Sequence, residues 1–440
     1  MPPPSFYDLV DRTSSKDFVK ILGMKTGPEI EGVYEHWDHL RHLQPPADLT
    51  PENWWLGIKY ARRALYRQLT LTDKSNQPVQ IGVTDYMLRL LHFLDRETSG
   101  SIQGLDRSDG DENQRYLIRS LVEEAMTSSQ LEGASTTRQA AKEMLASGRK
   151  PRDRGEQMIW NNYQAMRQLA RWRESPLTPD AIFEMHRVLT ADAIDDTSAA
   201  GRLRRANEQI EVVDWDGGNV LHRPPPASEL PERLERLCDF ANGSDSGGFL
   251  HTVIRAIALH FQIGYDHPFV DGNGRTARAI FYWSMLRSGY WLTEYLSISN
   301  ALKKAPAQYN RAYLYTETDD SDLGYFVCHQ LSILENAVDG LREYIARKSR
   351  DHRLAETLLK PGSKLATQLN HRQREILLHA LRDSSDIYRI ADHQSAQQIS
   401  YQTARNDLLG LAQAGLMQQQ KAGKAFIFTP VHDLADRIQK

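Results

Sequence analysis

The segment His267–Arg278 holds the densest set of chemically useful residues in the 440-residue chain, and it reads His-Pro-Phe-Val-Asp-Gly-Asn-Gly-Arg-Thr-Ala-Arg. Its two glycines let the backbone turn so that successive N–H groups converge, and N–H groups arranged in this way bind anions. The residues that follow predict a helix, whose positive N-terminal end would face the same anion. The spacing therefore predicts a phosphate site.

The charged side chains of this segment suit a polyphosphate. Arg275 and Arg278 lie three residues apart on the predicted helix, so both guanidinium groups can face one ligand. Asp271 offers the hard carboxylate oxygen that Mg²⁺ prefers when it also binds substrate phosphates. His267 can accept a proton at neutral pH. One short loop thus combines a base, a metal ligand, an anion-binding backbone and two cations.

Other interpretations of the segment have less support. Residues 272–277 also spell the Gly-x-Gly-x-x-Ala pattern of dinucleotide-binding folds, but the sequence around them is helical and lacks βα alternation. The sequence contains no Gly-x-x-x-x-Gly-Lys-(Ser/Thr), which excludes a P-loop. A histidine and an aspartate four residues apart would, on their own, be a helix-surface pair or half of a zinc site.

The segment resembles the signature of the Fic family, His-x-Phe-x-(Asp/Glu)-Gly-Asn-Gly-Arg-x-x-Arg, and fills every specified position. The resemblance extends over roughly residues 110–340. It implies a Mg²⁺-dependent transfer of AMP from ATP to a Tyr, Ser or Thr hydroxyl of a target protein. His267 would be the catalytic base and Phe269 a buried anchor of the loop.

The resemblance also implies how the nucleotide is held. Asp271 would bind Mg²⁺ on the α and β phosphates, and the two arginines would bind the β and γ groups. Tyr309 lies where relatives often have paired tyrosines near the adenine, but its neighbour here is Asn310, so nucleotide choice stays open. The residues implied for nucleotide binding are Asp271, Gly272, Asn273, Gly274, Arg275, Arg278 and Tyr309.

A second motif, Ser128–Gly133, ends a predicted helix. Glu132 places a carboxylate at the negative end of that helix, where it is disfavoured, so we expect a cation from elsewhere in the fold. The string resembles the inhibitory motif of Fic proteins, (Ser/Thr)-x-x-x-Glu-(Gly/Asn), which here includes Ser128. By that resemblance Glu132 pairs with Arg278 and leaves ATP in an unproductive pose. In some relatives this glutamate positions a water that removes AMP, so the reverse reaction is an open alternative.

Residues 210–221 read as strand, tight turn and strand within helical surroundings. The hairpin resembles the flap of Fic proteins, which would dock a target segment as an added strand. His222 and Arg223 follow it and either line the site or are solvated. His251 and His260 are predicted to pack within the helix that precedes the signature.

The first hundred residues predict helices, one with an apolar face of Ile58, Ala61, Leu65 and Leu69, and another around 88–93. Near the other end, helices predicted at about 372–381, 384–392 and 403–414 are followed by two short apolar runs. This is the layout of a winged helix-turn-helix, with 400–409 as the recognition segment and Tyr401, Gln402, Thr403 and Arg405 reaching DNA.

We therefore predict a mainly α protein, with a Fic-type helical core, a β-hairpin flap, a helical N-terminal region and a C-terminal winged helix-turn-helix. The predicted domains are 1–105, 106–345 and 363–440. The last domain carries eight basic and five acidic residues between 363 and 428. We expect it either to bind DNA through 363–430 or to serve as a protein-interaction module. A protein-interaction module would allow the chain to form a homodimer. The alternative function is a DNA-binding transcriptional regulator whose nucleotide loop senses a ligand.

Composition limits the cellular setting. Lys plus Arg is 54 and Asp plus Glu is 57, so the chain is not a polycation that coats nucleic acid or lipid. Its two cysteines, Cys238 and Cys328, form neither a CxxC pair nor a disulfide framework. We see no signal peptide and no apolar stretch of membrane-spanning length, and we predict a cytoplasmic protein with no membrane partner.

Overall fold

The computed structural model describes residues 1–24, 26–46, 49–98, 110–213, 218, 220–244, 248–358, 369–382, 387–422 and 425–439. The chain divides into two compact units, Met1–Asp339 and Gly340–Lys440. Most described residues are helical, which confirms the mainly α fold class. The predicted domain limits remain predictions. Within these described ranges, no helix is both long enough and apolar enough to cross a bilayer.

The N-terminal part of the first unit contains five helices and a β-hairpin. Tryptophans pack in its core, where Trp54 and Trp55 are buried. The elements are α1 Phe6–Arg12, α2 Ser15–Gly23, α3 Trp37–Leu40, α4 Pro51–Arg63, β1 Tyr66–Thr72, β2 Pro78–Gly82 and α5 Asp85–Thr98.

The helix predicted through Leu69 was wrong. Helix α4 ends at Arg63, and Leu69 lies in β1, which pairs antiparallel with β2. Leu69 and Leu71 are buried while Thr70 between them is exposed, so this stretch follows the two-residue period of a strand. Leu65 is 42% exposed and belongs to no buried face. The short apolar run fits both the helical period and the two-residue period of a strand, and the pairing of β1 with β2 selects the strand.

A buried polar network attaches the N-terminal elements to the rest of the unit. The Lys59 ammonium lies 2.7 Å from the Asp319 carboxylate, and the Tyr34 and Tyr66 hydroxyls donate to Asp322 at 2.6 and 2.7 Å. Arg62 donates to the Tyr325 hydroxyl at 2.7 Å. Because these charges are buried, each needs its partner, and the network fixes how α4 and β1 meet the residues between α14 and α15.

The remainder of the first unit surrounds the signature segment. Its central helix, α12, is buried over nearly its whole circumference and packs along α11. The elements are α6 Gly110–Leu131, α7 Arg138–Ser147, α8 Arg154–Trp172, α9 Pro179–Thr190, β3 Val212–Val213, β4 Val220–His222, α10 Leu230–Ala241, α11 Thr252–Asp266, α12 Asn273–Arg287, α13 Ile298–Lys304, α14 Pro306–Thr318 and α15 Gly324–Leu358. The division between the two units falls within α15 in the sequence.

The predicted hairpin is present, with Val212 opposite His222 and Val213 opposite Val220. Its predicted turn, 214–219, lies outside the described residues except for Gly218. Val213 and Val220 are 46% and 43% exposed, so this two-stranded sheet presents apolar side chains and an unpaired edge.

In the part of the second unit that the structure describes, four helices and a three-stranded sheet follow its portion of α15. The strand order of this sheet is β5-β7-β6. The short strand β5, which lies between the first two of these helices in the sequence, pairs with β7 of the C-terminal hairpin. The helix predicted at 384–392 was wrong: residues 383–386 lie outside the described residues, 388–389 form a strand and the helix follows it. The elements are α16 His371–Arg382, β5 Tyr388–Arg389, α17 Ile390–Gln397, α18 Tyr401–Gln413, β6 Met417–Ala422, β7 Ala425–Pro430 and α19 Leu434–Gln439.

Candidate active site

The signature segment forms a tight loop between α11 and α12. His267 ends α11 in the left-handed region with φ 44°, and Gly272 precedes α12 with φ 80°. The Asn273 side chain closes the loop, since its amide donates to the Phe269 carbonyl at 2.8 Å and accepts from the Phe269 N–H at 2.9 Å. No side chain caps α12, so its first-turn N–H groups face the loop. The loop thus lies at the N-terminus of a helix, and binding of an anion there stays a prediction.

Two hydrogen bonds orient His267, one made by its side chain and one accepted by its backbone carbonyl. Its Nδ1 lies 2.7 Å from the Gly264 carbonyl, which can only accept, so Nδ1 carries the proton and Nε2 keeps its lone pair. Arg204 donates from Nε to the His267 carbonyl at 2.9 Å. Burial lowers the pKa of His267 below its usual value, and the charge of Glu132 partly opposes that shift. The imidazole is therefore suited to accept a proton at Nε2.

The ring of His186 on α9 contacts the loop, and the sequence did not predict this contact. Its Nδ1 accepts from the Gly201 N–H at 2.8 Å and its Nε2 lies 2.8 Å from the Asp271 carbonyl, so the neutral ring donates there. The ring stacks on Phe269 with centroids 3.8 Å apart. Burial lowers the pKa of His186 to about 4. No motif marks His186; only its place on the apolar face of a helix could have suggested burial.

Asp271 is partly exposed and lies among arginines. Its Oδ2 is 3.1 Å from Arg154 and its Oδ1 is 3.3 Å from Arg275. Arg154 also contacts Asp195 at 3.0 Å and had no signal in the sequence. Across the ranges listed above, no group of three or more His, Cys, Asp or Glu side chains could hold a metal. A single accessible carboxylate does fit an ion that is otherwise bound by water and substrate phosphates.

The two signature arginines differ in what they contact. Arg275 is fully buried, donates to the Leu189 carbonyl at 2.8 Å and has its pKa lowered by burial. Arg278 donates from Nε to the Ser128 hydroxyl at 2.8 Å and from Nη2 to the Ser128 carbonyl at 3.0 Å. The same Nη2 lies 2.9 Å from a carboxylate oxygen of Glu132. Arg275 thus supports the loop, while Arg278 is bonded to Ser128 of α6 and to Glu132, which follows that helix.

Glu132 lies directly over the anion site. A Cβ placed on Gly274 would overlap the Glu132 carboxylate, and the Glu132 charge acts on His267, Arg275 and Arg278 together. Burial by itself lowers the pKa of Arg278, but the charge and hydrogen bond of Glu132, together with Tyr309 and Glu124, outweigh burial and raise this pKa. The expected tertiary cation for Glu132 is therefore present, and a carboxylate occupies the place predicted for a phosphate.

A buried carboxylate fastens α6 in this position. Glu124 is 1% exposed and accepts from the Ser297 hydroxyl at 2.9 Å and from the Ser299 N–H at 3.1 Å. Burial raises its pKa above the usual range. Because these bonds tie α6 to the start of α13, they hold Glu132 in register with the loop.

Tyr309 lies on the far side of Arg278. Its hydroxyl is 2.9 Å from His260 Nε2 and 3.4 Å from the Tyr313 hydroxyl. Burial raises the pKa of Tyr309, so the phenol is neutral. Tyr313 lies one helical turn after Tyr309 on α14. His260 packs inside α11 as predicted, and His251 caps the start of that helix.

These features define a class: a mainly helical protein with a histidine-bearing loop at the N-terminus of a central buried helix. Residues 176–285 match the family model described as Fic/DOC family. The chain therefore contains a Fic domain over these residues.

Named relatives and a solved structure agree with this assignment. The chain is 34% identical over 114 residues to Protein adenylyltransferase Fic of Drosophila willistoni, covering 26% of this chain and 20% of that protein. It is 32% identical over 118 residues to Protein adenylyltransferase Fic of Nematostella vectensis, covering 27% of this chain and 25% of the relative. The chain thus spans about a quarter or less of the length of these curated relatives.

A Fic family protein from Desulfovibrio desulfuricans has a similar fold, with a TM-score of 0.51 at 18% identity, covering 80% of this chain and 97% of the other. At that identity the likeness concerns the fold alone.

Proposed function

We propose that this protein transfers AMP from ATP to a hydroxyl side chain of a target protein, and that Glu132 inhibits the reaction. One observation carries the proposal: Arg278, beside the N-terminus of α12 and the loop of His267, is occupied by a carboxylate where a phosphate is expected. The names of the two relatives, Protein adenylyltransferase Fic, support the same reaction class.

The residues of the loop suit an in-line displacement. Nε2 of His267 takes the proton from a target hydroxyl, whose oxygen attacks the α-phosphorus. A new oxygen–phosphorus bond forms as the bond to the β-phosphate oxygen breaks, and pyrophosphate leaves. The first-turn amides of α12 and Arg278 stabilise the phosphate charge without reorganising. Asp271 would hold Mg²⁺, which when bound neutralises phosphate charge.

Inhibition follows from competition for one guanidinium. While Glu132 is paired with Nη2 of Arg278, the N–H that points at Glu132 is not free for the terminal phosphate. ATP then binds without the clamp that aligns its α-phosphorus with the attacking oxygen, and alignment accounts for much of such a rate. The exposed edge of β3 and β4 would dock the target segment as an added strand.

The direct test is the intact mass of the Glu132→Gly protein after incubation with Mg²⁺ and each nucleotide in turn. We expect an increase of one AMP with ATP, because the chain can modify hydroxyls of its own. The mass identifies both the donor and the group transferred. Equal, negligible modification of wild type and Glu132→Gly would contradict the proposal and favour a nucleotide sensor without turnover.

The pH dependence provides a second prediction. A base works only when unprotonated, and the pKa of His267 is lowered by burial from 6.5. Removing Glu132 takes away a charge that raises this pKa, so the base form of the variant persists to still lower pH. We expect initial self-labelling rates of Glu132→Gly to stay level as pH falls through 6.5 and to decline only below it. A midpoint at or above 6.5 would contradict the assignment.

We propose in addition that the second unit binds duplex DNA through α18. Tyr401, Gln402, Arg405 and Asn406 are exposed on one side of this helix, while Ala404, Leu408 and Leu411 are buried on the other. Exposed amide and guanidinium groups on a recognition helix suit base edges and phosphates. Thr403, predicted to reach DNA, instead bonds the Ser400 cap of α18.

DNA binding predicts a specific loss. Replacing Arg405 with alanine in the full chain should weaken retention of the duplex upstream of its own gene about tenfold, the typical cost of one good base or phosphate contact. Arg437→Ala is the matched control, because Arg437 pairs with Asp433 on α19. Retention is measured by gel shift across a salt series, where affinity should fall with salt. No retention at low salt, or equal losses in both variants, would refute it.

A further inference from the structure

The base of the hairpin is fixed by a histidine with two partners. His222, the last residue of β4, places Nδ1 2.8 Å from Oε2 of Glu317 and Nε2 2.7 Å from the carbonyl of Tyr265. Its ring also packs on the Tyr265 ring, with centroids 4.4 Å apart. A carboxylate and a carbonyl both only accept, so each of these two contacts needs an N–H on the ring nitrogen that faces it.

Each partner connects the hairpin to a different part of the site. Tyr265 lies two residues before His267. Its carbonyl is in the last turn of α11, where carbonyl groups lack partners within the helix and accept hydrogen bonds from other donors. Glu317 lies on α14. Burial works against the charge of Glu317, but the bond from His222 and the charge of Lys74 outweigh it, and the pKa of Glu317 is lowered.

The N-terminal hairpin completes the arrangement. Lys74, in the turn between β1 and β2, places its ammonium 2.5 Å from Glu317 and donates its backbone N–H to the Tyr265 hydroxyl at 3.1 Å. This turn lies outside the residues that match the Fic/DOC family model, which begin at 176. Lys74 from the turn of β1–β2 and His222 from β4 thus both contact the carboxylate of Glu317, near the turn that carries His267. We refer to His222, Glu317, Lys74 and Tyr265 as the His222 cluster.

We infer that His222 is a positioning residue: it fixes the docking hairpin to the turn that carries His267, and Lys74 extends the support into the N-terminal region. The inference rests on the proposed function, because it concerns where a docked hydroxyl meets the base. A strand added to β3–β4 inherits the position of that sheet. A shift of about 1 Å between the hydroxyl and Nε2 would cost up to about a hundredfold in rate.

The test uses the full chain in the Glu132→Gly background. We expect His222→Leu to slow self-labelling at saturating ATP by at least about tenfold, because the acceptor is misaligned. The affinity for a fluorescent ATP analogue should stay within about twofold, since His222 contacts none of the proposed nucleotide ligands. A role in general stability would lower both quantities together. This split between labelling and binding therefore separates positioning from folding.

Hydrogen exchange gives a readout that does not need catalysis. The amides of the paired strands, 212–213 and 220–222, should exchange at least about tenfold faster in His222→Leu, because the hairpin opens more often once its anchor is lost. Lys74→Met should move labelling and exchange in the same direction by a smaller factor. His222→Gln retains an amide donor for one partner and should be intermediate; it also serves if His222→Leu fails to fold.

His251→Leu is the matched control. His251 also pairs with a carboxylate, Asp95, at 3.1 Å, and it lies at the opposite end of α11. It should leave both labelling and hairpin exchange unchanged. Unchanged labelling and exchange in His222→Leu, or an equal loss of nucleotide affinity, would overturn the inference. If Glu132→Gly itself shows no labelling, the proposed function fails, and the exchange rates alone decide whether His222 anchors the hairpin.

Discussion

Replacing Glu132 with glycine should raise the rate of self-labelling by α-labelled ATP about a hundredfold, the usual value of one well-placed donor to a reacting phosphoryl group. The variant removes the carboxylate 2.9 Å from Arg278 and clears the space over Gly274. Arg278 keeps its bonds to Ser128, so it stays near the loop with Nη2 available to phosphate. The measurement is the initial rate of label incorporation at saturating ATP and Mg²⁺.

Two further variants separate release of Arg278 from loosening of α6. Glu132→Gln keeps the shape but not the charge, so it should activate less than glycine. Glu123→Ala alters a glutamate of the same helix that pairs with Arg138, away from the signature loop, and should leave labelling at the wild-type level. If Glu123→Ala activates as strongly as Glu132→Gly, the inhibition reflects the stability of α6 and not the contact with Arg278.

Some of this site could be predicted because its chemistry is contained in one contiguous string. Glycine at 272 permits φ 80°, and the spacing of Arg275 and Arg278 follows from the helix period, so the loop and α12 were foreseeable. That Glu132 has a cation was foreseeable because a carboxylate at a helix C-terminus is disfavoured, whereas its pairing with Arg278 was implied by the resemblance to the inhibitory motif of Fic proteins.

The supporting residues could not be predicted in the same way. His186, Arg154 and Arg204 reach the loop from segments far away in the sequence, and each looks like an ordinary helix or loop residue. Arg275 shows a related limit. Its predicted role as a phosphate ligand stays a prediction, and its type and spacing did not show that packing of α9 and α12 buries it against the Leu189 carbonyl. Long-range contacts decide the partner of a long side chain, and spacing along the chain does not contain them.

The first hundred residues illustrate the same limit for the fold. Apolar spacing placed Leu69 on a helix, but its burial arises from the pairing of β1 with β2. That hairpin then supplies Lys74 to the site. A local period was misread, and with it the contact of Lys74 with Glu317 was missed. Sequence patterns therefore predicted the loop before α12 better than they predicted the distant elements that contact it.

Replacing His267 with alanine in the Glu132→Gly protein should reduce self-labelling by about a thousandfold, within the range that a general base contributes. Nδ1 donates to Gly264 and leaves Nε2 as the proton acceptor, and alanine removes that acceptor. The first-turn amides of α12 and Arg278 remain, so affinity for a fluorescent ATP analogue should change less than about threefold, the effect of losing a minor contact. Label incorporation and analogue binding are measured on the same preparations.

The control for this loss is His186→Ala, which removes the other imidazole that touches the loop. His186 bonds the Asp271 carbonyl and stacks on Phe269, so its loss should lower the melting temperature and weaken both nucleotide binding and labelling. His267→Ala should lower labelling alone, because its ring lies at the end of α11 and fills no core position. If His267→Ala retains more than about a tenth of the parent rate, proton transfer contributes too little for a base in the expected range. Deprotonation of the hydroxyl would then have to be assigned to another group.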